Sequence, residues 1–134
     1  ADLDRLALSG RGGVRALVTR VAGLIRIDAI WLAVEPLDMR CGPQTALARV
    51  VKVFGAARAH HAYVFANRRA NRIKVLINDG FGLWLCARQL HRGRFLWPTG
   101  DGSMTISLTV DQVHALTLGL PWQQLARDAA ICVV

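Results

Sequence analysis

With 134 residues, 53% of them apolar, the chain is long enough to bury one core without disulfide staples and too apolar to be a disordered basic tail. Seventeen Lys+Arg against nine Asp+Glu give a formal charge of +8, which favours an anionic partner, nucleic acid ahead of an acidic membrane surface. Arg outnumbers Lys fifteen to two, a bias that a GC-rich genome also produces, so clustering carries more weight than composition. From Arg40 to Arg94 there are eleven basic residues and a single acid, Asp79; the positive excess sits in the middle of the chain.

In chain order, residues 1–24 read apart from the rest. Ser9-Gly10-Arg11-Gly12-Gly13 breaks the chain, and Val14, Leu17, Val18 and Val21 then fall at the spacing of a short amphipathic helix. The sequence does not begin with Met, and this stretch is expected to be an N-terminal appendage to one domain over residues 25–134. Ile25–Val34 reads as a first strand, rich in Ile, Trp and Val. Glu35-Pro36-Leu37-Asp38 turns the chain, and Pro43 marks the first turn of a helix whose apolar face is Leu47, Val50, Val51 and Phe54, stopped by Gly55.

Three or four short strands are expected next, at His61–Ala66, Arg72–Asn78, Leu83–Leu90 and Arg94–Trp97. Their connections are too short for parallel crossovers, which predicts an antiparallel β-meander. Period-two alternation puts Ile73, Val75 and Ile77 on one face of the second of these strands, with Arg72 and Lys74 on the other. Met104–Leu108 reads as a further strand, Thr109-x-x-Gln112 as the capping box of a second helix, and Ile131–Val134 as an edge strand. The fold class is therefore α+β: an antiparallel sheet packed on its apolar face against one or two helices in a single compact domain.

These elements together resemble the TnpB-type accessory proteins of the IS66 family of insertion sequences. Ile30-Trp31-Leu32-Ala33 followed by Pro36-Leu37-Asp38-Met39-Arg40 is similar to that family's opening strand and D-M-R-x-G turn. Tyr63-Val64-Phe65, Asn67-Arg68-Arg69 and Arg72-Ile73-Lys74-Val75-Leu76 resemble its F-V-F-x-x-R-R-x-x-R-x-K-x-L core. Asp79-Gly80-x-Gly82, Leu90-x-x-Gly93-Arg94-Phe95-x-Trp97-Pro98 and the closing Pro121-Trp122 follow in the family's order. Cys41 stands where members often have Lys, and Ile77-Asn78 where they often have aromatics. The resemblance implies a protein encoded beside a separate, larger transposase, which it assists; it implies nothing of the RNA-guided nuclease that shares the name.

The residues themselves argue against catalysis. A two-metal phosphoryl-transfer site needs converging carboxylates, but Asp38 and Asp79 sit in turns where Asp bonds local backbone, leaving Asp101. Cys86 lies in an apolar strand and is a poor candidate for a nucleophile with His91 as its base. Asp79-Gly80-Phe81-Gly82 lacks the Lys and helix of a phosphate-binding loop. Cys41, Cys86 and Cys132 are isolated, and with His60, His61, His91 and His114 they make no metal-ligand spacing, so no metal or cofactor is expected.

Binding is the better reading. Arg68, Arg69, Arg72 and Lys74 occupy a hairpin loop and its strand, with Arg40, Arg88, Arg92 and Arg94 as neighbours. Arg pairs bidentately with phosphate and reads guanine edges, and a two-stranded ribbon fits the major groove. Tyr63, Phe65, Trp84, Phe95 and Trp97 are candidates for base stacking but more readily for core packing. The expected partners are DNA at the element's ends and the transposase, with a homo-oligomer left open. The alternative is a subunit that docks the transposase without recognising DNA. No membrane partner is expected: Val14–Val34 is interrupted by Arg15, Arg20, Arg26 and Asp28, and no secretory layout precedes it, which suits the bacterial cytoplasm.

Overall fold

The computed structural model describes residues 26–100 and 105–125. The expected helix at Val14–Val21 and the expected strand at Ile131–Val134 lie outside them. In chain order the elements are β1 (Ala29–Ala33), α1 (Pro43–Phe54), β2 (His61–Ala66), β3 (Arg72–Asn78), β4 (Leu83–Gln89), β5 (Thr105–Leu108) and α2 (Val110–Thr117). The strands form one sheet in the order β4-β3-β2-β1-β5.

The α+β class holds, and most of the sheet is antiparallel, but helices cover both of its faces rather than one, and two details of the strands differ from the sequence reading. First, β1 and β2 pair in parallel, Ile30 opposite Ala62 and Leu32 opposite Val64. The chain between them carries α1, and a crossover with a helix in it is long enough to return the strand in the same direction. Second, Arg94–Trp97 is not a strand. It folds over the sheet instead, burying Phe95 to 2% exposure, because Trp122 and Leu90 give that ring a better apolar site than a sheet edge would.

The two helices cover opposite faces. On one side Ile30, Leu32, Val64, Ile73 and Ile77 pack with Val113 and Leu116 of α2 and with Phe95 and Trp122. On the other, Ala33, Tyr63, Phe65 and Leu76 pack with Ala46 and Val50 of α1. From Ala62 to Ala66 the central strand β2 is buried on both sides, which explains its unbroken apolar run, AYVFA. Leu76 thus shares a face with Lys74, and the polar side of β3 is only half polar.

Local signals set the helix ends. Pro43 opens α1 and Gly55, at φ 87, closes it with its N–H on the Val51 carbonyl. In α2, Thr109 accepts from the Gln112 N–H and the Gln112 side chain accepts from the Thr109 N–H, a complete capping box.

Candidate nucleic-acid interface

The β2–β3 connection is a rigid tip. Asn67 Oδ1 accepts from the N–H groups of Asn71 (3.1 Å) and Arg72 (3.0 Å), while its amide donates to Asn71 Oδ1 at 2.7 Å. The Ala70 N–H closes the turn on the Asn67 carbonyl at 3.0 Å, with Ala70 in the left-handed region at φ 56. Arg68 and Arg69 therefore occupy the two central positions of a fixed turn, both exposed.

A second basic loop is tied to this tip. The Leu90 N–H donates to the Asn71 carbonyl (3.0 Å), and the Phe95 N–H donates to the Ala70 carbonyl (2.6 Å). Between those two anchors the chain bends at Gly93, φ 78, leaving Arg92 and Arg94 exposed beside the hairpin. A third loop joins at the same end. The Leu37 N–H bonds the Ala66 carbonyl (2.9 Å), and Lys74 Nζ donates to the Cys41 carbonyl (2.7 Å). Between this loop and the β3–β4 ladder lies a shallow concavity of about 300 Å³, lined in part by Met39, Arg72, Lys74, Ala87 and Gln89.

The eight candidate cations separate by what they touch. Arg68, Arg69, Arg72, Arg92 and Arg94 are exposed and enter no ion pair among the described residues. Arg40 is exposed but chelates Asp38, with Nη2 2.8 Å from Oδ2. Lys74 is half-buried and acts as a strut to the Cys41 carbonyl. Arg88 points to the opposite face, where its Nε donates to the Thr117 carbonyl at 2.7 Å, at the C-terminal end of α2 where a cation is favoured. The sequence cluster is one end of the sheet in three dimensions, but Arg88 leaves it.

Both acids near this surface are engaged. Asp38 accepts from the Arg40 guanidinium and backbone N–H, and these bonds, side-chain first, hold its carboxyl at about 2. A depressed carboxylate contributes stability above its ordinary range and loses it as pH falls through the folded value. The pair is therefore expected to stay intact down to about pH 2. A carbon-detected NMR titration of Asp38 should show that midpoint, and Arg40→Ala should return it towards about 4. Glu35 lies 3.7 Å from Arg49. At the far end of the sheet, Asp79 accepts from the Phe81 N–H, the Trp84 indole and the Gly82 N–H, which together hold its carboxyl below the usual range.

Among the candidates for stacking, Tyr63, Phe65 and Phe95 are buried and Trp97 half-buried; Trp84 is exposed. The Tyr63 hydroxyl donates to the Ala56 carbonyl and accepts from the Arg58 N–H, so it serves the α1 exit. What the sequence reading missed is the bracing by Asn67, for which the Asn at both ends of the hairpin loop was the available signal. It also missed the apolar rim around Trp122, where Leu96 and Leu120 are 42% and 48% exposed while their carbonyls accept from the Trp122 indole and backbone N–H.

The family model described as IS66 Orf2 like protein matches residues 28–127, the whole span that builds this sheet and its basic end. The chain belongs to the IS66 Orf2-like family. It is 34% identical over 95 residues to the uncharacterized protein y4hO of Sinorhizobium fredii, covering 70% of this chain and 82% of that one. It is 29% identical over 104 residues to the uncharacterized protein y4jC of the same organism, covering 73% and 84%. No solved structure matches the chain. As an IS66 Orf2-like protein it is a transposition-associated accessory protein. Among the described residues of this family member, no helix is long and apolar enough to cross a membrane.

Proposed function

We propose that this accessory protein assists transposition without catalysis, by holding DNA against the basic end of its sheet. The observation that carries the reading is the convergence of Arg68, Arg69, Arg92 and Arg94. All four are exposed, sit on two loops joined by backbone hydrogen bonds, and have no acid partner among the described residues. Arginines held on a stiff turn lose little freedom on meeting a phosphate, and each brings a fork suited to its oxygens. Arg72, at the foot of the hairpin, extends the same surface. Lys74 and Arg40 support the scaffold, and Arg88 stays out of the contact.

The non-catalytic part is supported by the engaged carboxylates of Asp38 and Asp79 and by the Cys86 thiol, which burial pushes up and away from the reactive thiolate. A second reading, docking on the transposase without DNA recognition, is favoured by the exposed Leu96, Leu120 and Leu125 around Trp122.

Two measurements separate the readings. In gel shifts with the element's terminal repeats, binding should exceed that of an unrelated protein of equal charge, with log K falling by about 0.9 per neutralised phosphate per log unit of salt. Equal binding by the unrelated protein would sink direct recognition. Co-purification with the transposase that persists in high salt and requires Leu96 and Leu120 would establish docking instead.

A further inference from the structure

The β4 edge is open in a way natural sheets usually avoid. β4 is seven residues long and ends the sheet, with β3 as its one neighbour among the described residues. Its sequence, Leu83-Trp84-Leu85-Cys86-Ala87-Arg88-Gln89, holds no Pro and one charge, at Arg88. Edge strands are normally blunted by Pro, lysines, bulges or brevity. The opposite edge, β5, is only four residues long. Beside β4, Trp84 is 46% exposed and Phe81, in the adjoining turn, is fully exposed.

The hydrogen-bond phase of that edge follows from its two ends. The Asp79 N–H donates to the Gly82 carbonyl (3.1 Å), and the Leu90 N–H donates to the Asn71 carbonyl (3.0 Å). Both pairs extend the β3–β4 register of Arg72 opposite Gln89 and Asn78 opposite Leu83. Antiparallel pairs alternate between bonded and non-bonded, so Trp84, Cys86 and Arg88 bond inward to β3. Leu83, Leu85, Ala87 and Gln89 turn their N–H and C=O groups outward, unpaired by any described strand.

We propose that β4 pairs antiparallel with β4 of a second copy of this chain, about a two-fold axis through Cys86. That register alone joins all four outward residues, Leu83 with the partner's Gln89 and Leu85 with the partner's Ala87. A shift to an axis through Leu85 would place Gln89 opposite the turn and waste its groups. The charges fit as well. Trp84 faces the partner's Arg88, an aromatic–cation neighbour rather than a like-charge clash. The turn bearing the ionised Asp79 comes alongside the partner's Arg92, while the two Arg-rich ends point in opposite directions. A chain of +8 thereby self-associates with its positive ends apart. Each copy keeps its hairpin tip free, so the pairing stands whether or not DNA binds there.

Cys86 reports the register. It falls at a non-bonded position of the new ladder, where paired Cα atoms lie about 4.5 Å apart, within the span a disulfide bridges. Light scattering after size exclusion should give a dimer of the full chain. Copper-phenanthroline oxidation should join it through a Cys86–Cys86 bond, identified by peptide mass spectrometry and lost in Cys86→Ser. Ala87→Pro removes an outward N–H at an edge position that tolerates proline, without touching the β3–β4 bonds. It should raise the dimer dissociation constant by about tenfold or more with an unchanged circular dichroism spectrum. The cross-link in the unaltered chain decides the register even if the proline variant misfolds. A monomer at every concentration, or a dimer never joined through Cys86 and indifferent to Ala87→Pro, overturns the proposal.

Discussion

Replacing Arg68, Arg69, Arg92 and Arg94 together with Ala is expected to remove most DNA affinity and to flatten its salt dependence by about 3.6 units of log K per log salt, at about 0.9 for each phosphate no longer neutralised. All four are exposed and make no ion pair among the described residues, so removing them leaves no buried partner unsatisfied and folding should be unaffected. The informative control is Arg88→Ala. Arg88 belongs to the same stretch of basic sequence, but its guanidinium bonds the Thr117 carbonyl on the α2 face. That variant should keep the salt slope of the unaltered chain while losing about 1–3 kcal/mol of stability, the usual cost of taking a charged donor away from a buried acceptor. Titrating affinity from low to high salt by fluorescence anisotropy separates the two. A quadruple variant with an undiminished slope would remove the hairpin end from the DNA interface.

Trp122→Ala should cost about 3–5 kcal/mol, a large share of the roughly 5–15 kcal/mol by which such domains are stable. The Trp122 side chain is 2% exposed and its indole donates to the Leu96 carbonyl at 2.7 Å. Truncation leaves a cavity among Phe95, Val113 and Leu116 and an orphaned carbonyl on the segment that carries Arg92 and Arg94. Trp122→Phe keeps most of the packing and loses the bond, so it should cost about 1–3 kcal/mol. Urea midpoints at constant m value give both numbers. Since Trp122 lies far along the chain from the basic loops, weakened DNA binding in Trp122→Phe would show that the indole holds the 90–95 loop in place.

Local signals made much of this chain readable. The ends of α1 at Pro43 and Gly55, the capping box of Thr109 and Gln112, and the hairpin tip at Asn67–Asn71 each depend on residues within one or two turns of one another. Their physics is complete inside a short window, and so is the alternation along Arg72–Ile77. Motif order over the same stretches was enough to place the chain in its family. Arg94–Trp97 misled for the same reason. Phe95 and Trp97 have strand propensity, but the site that takes Phe95 is built by Leu90, Val113 and Trp122.

The sequence by itself thus determined β1 to β5, α1 and α2, the turns between them, the family and the positive charge of the central segment. The tertiary structure decided the parallel seat of β1 beside β2 and the burial of β2 on both faces. It also divided the cations, braced Lys74 against Cys41 and Arg88 against Thr117, and brought Arg92 and Arg94 to the hairpin of Arg68 and Arg69. Those outcomes depend on contacts between residues from about a dozen to about fifty positions apart. No periodicity along the chain records which backbone carbonyl a distant guanidinium or ammonium group will meet.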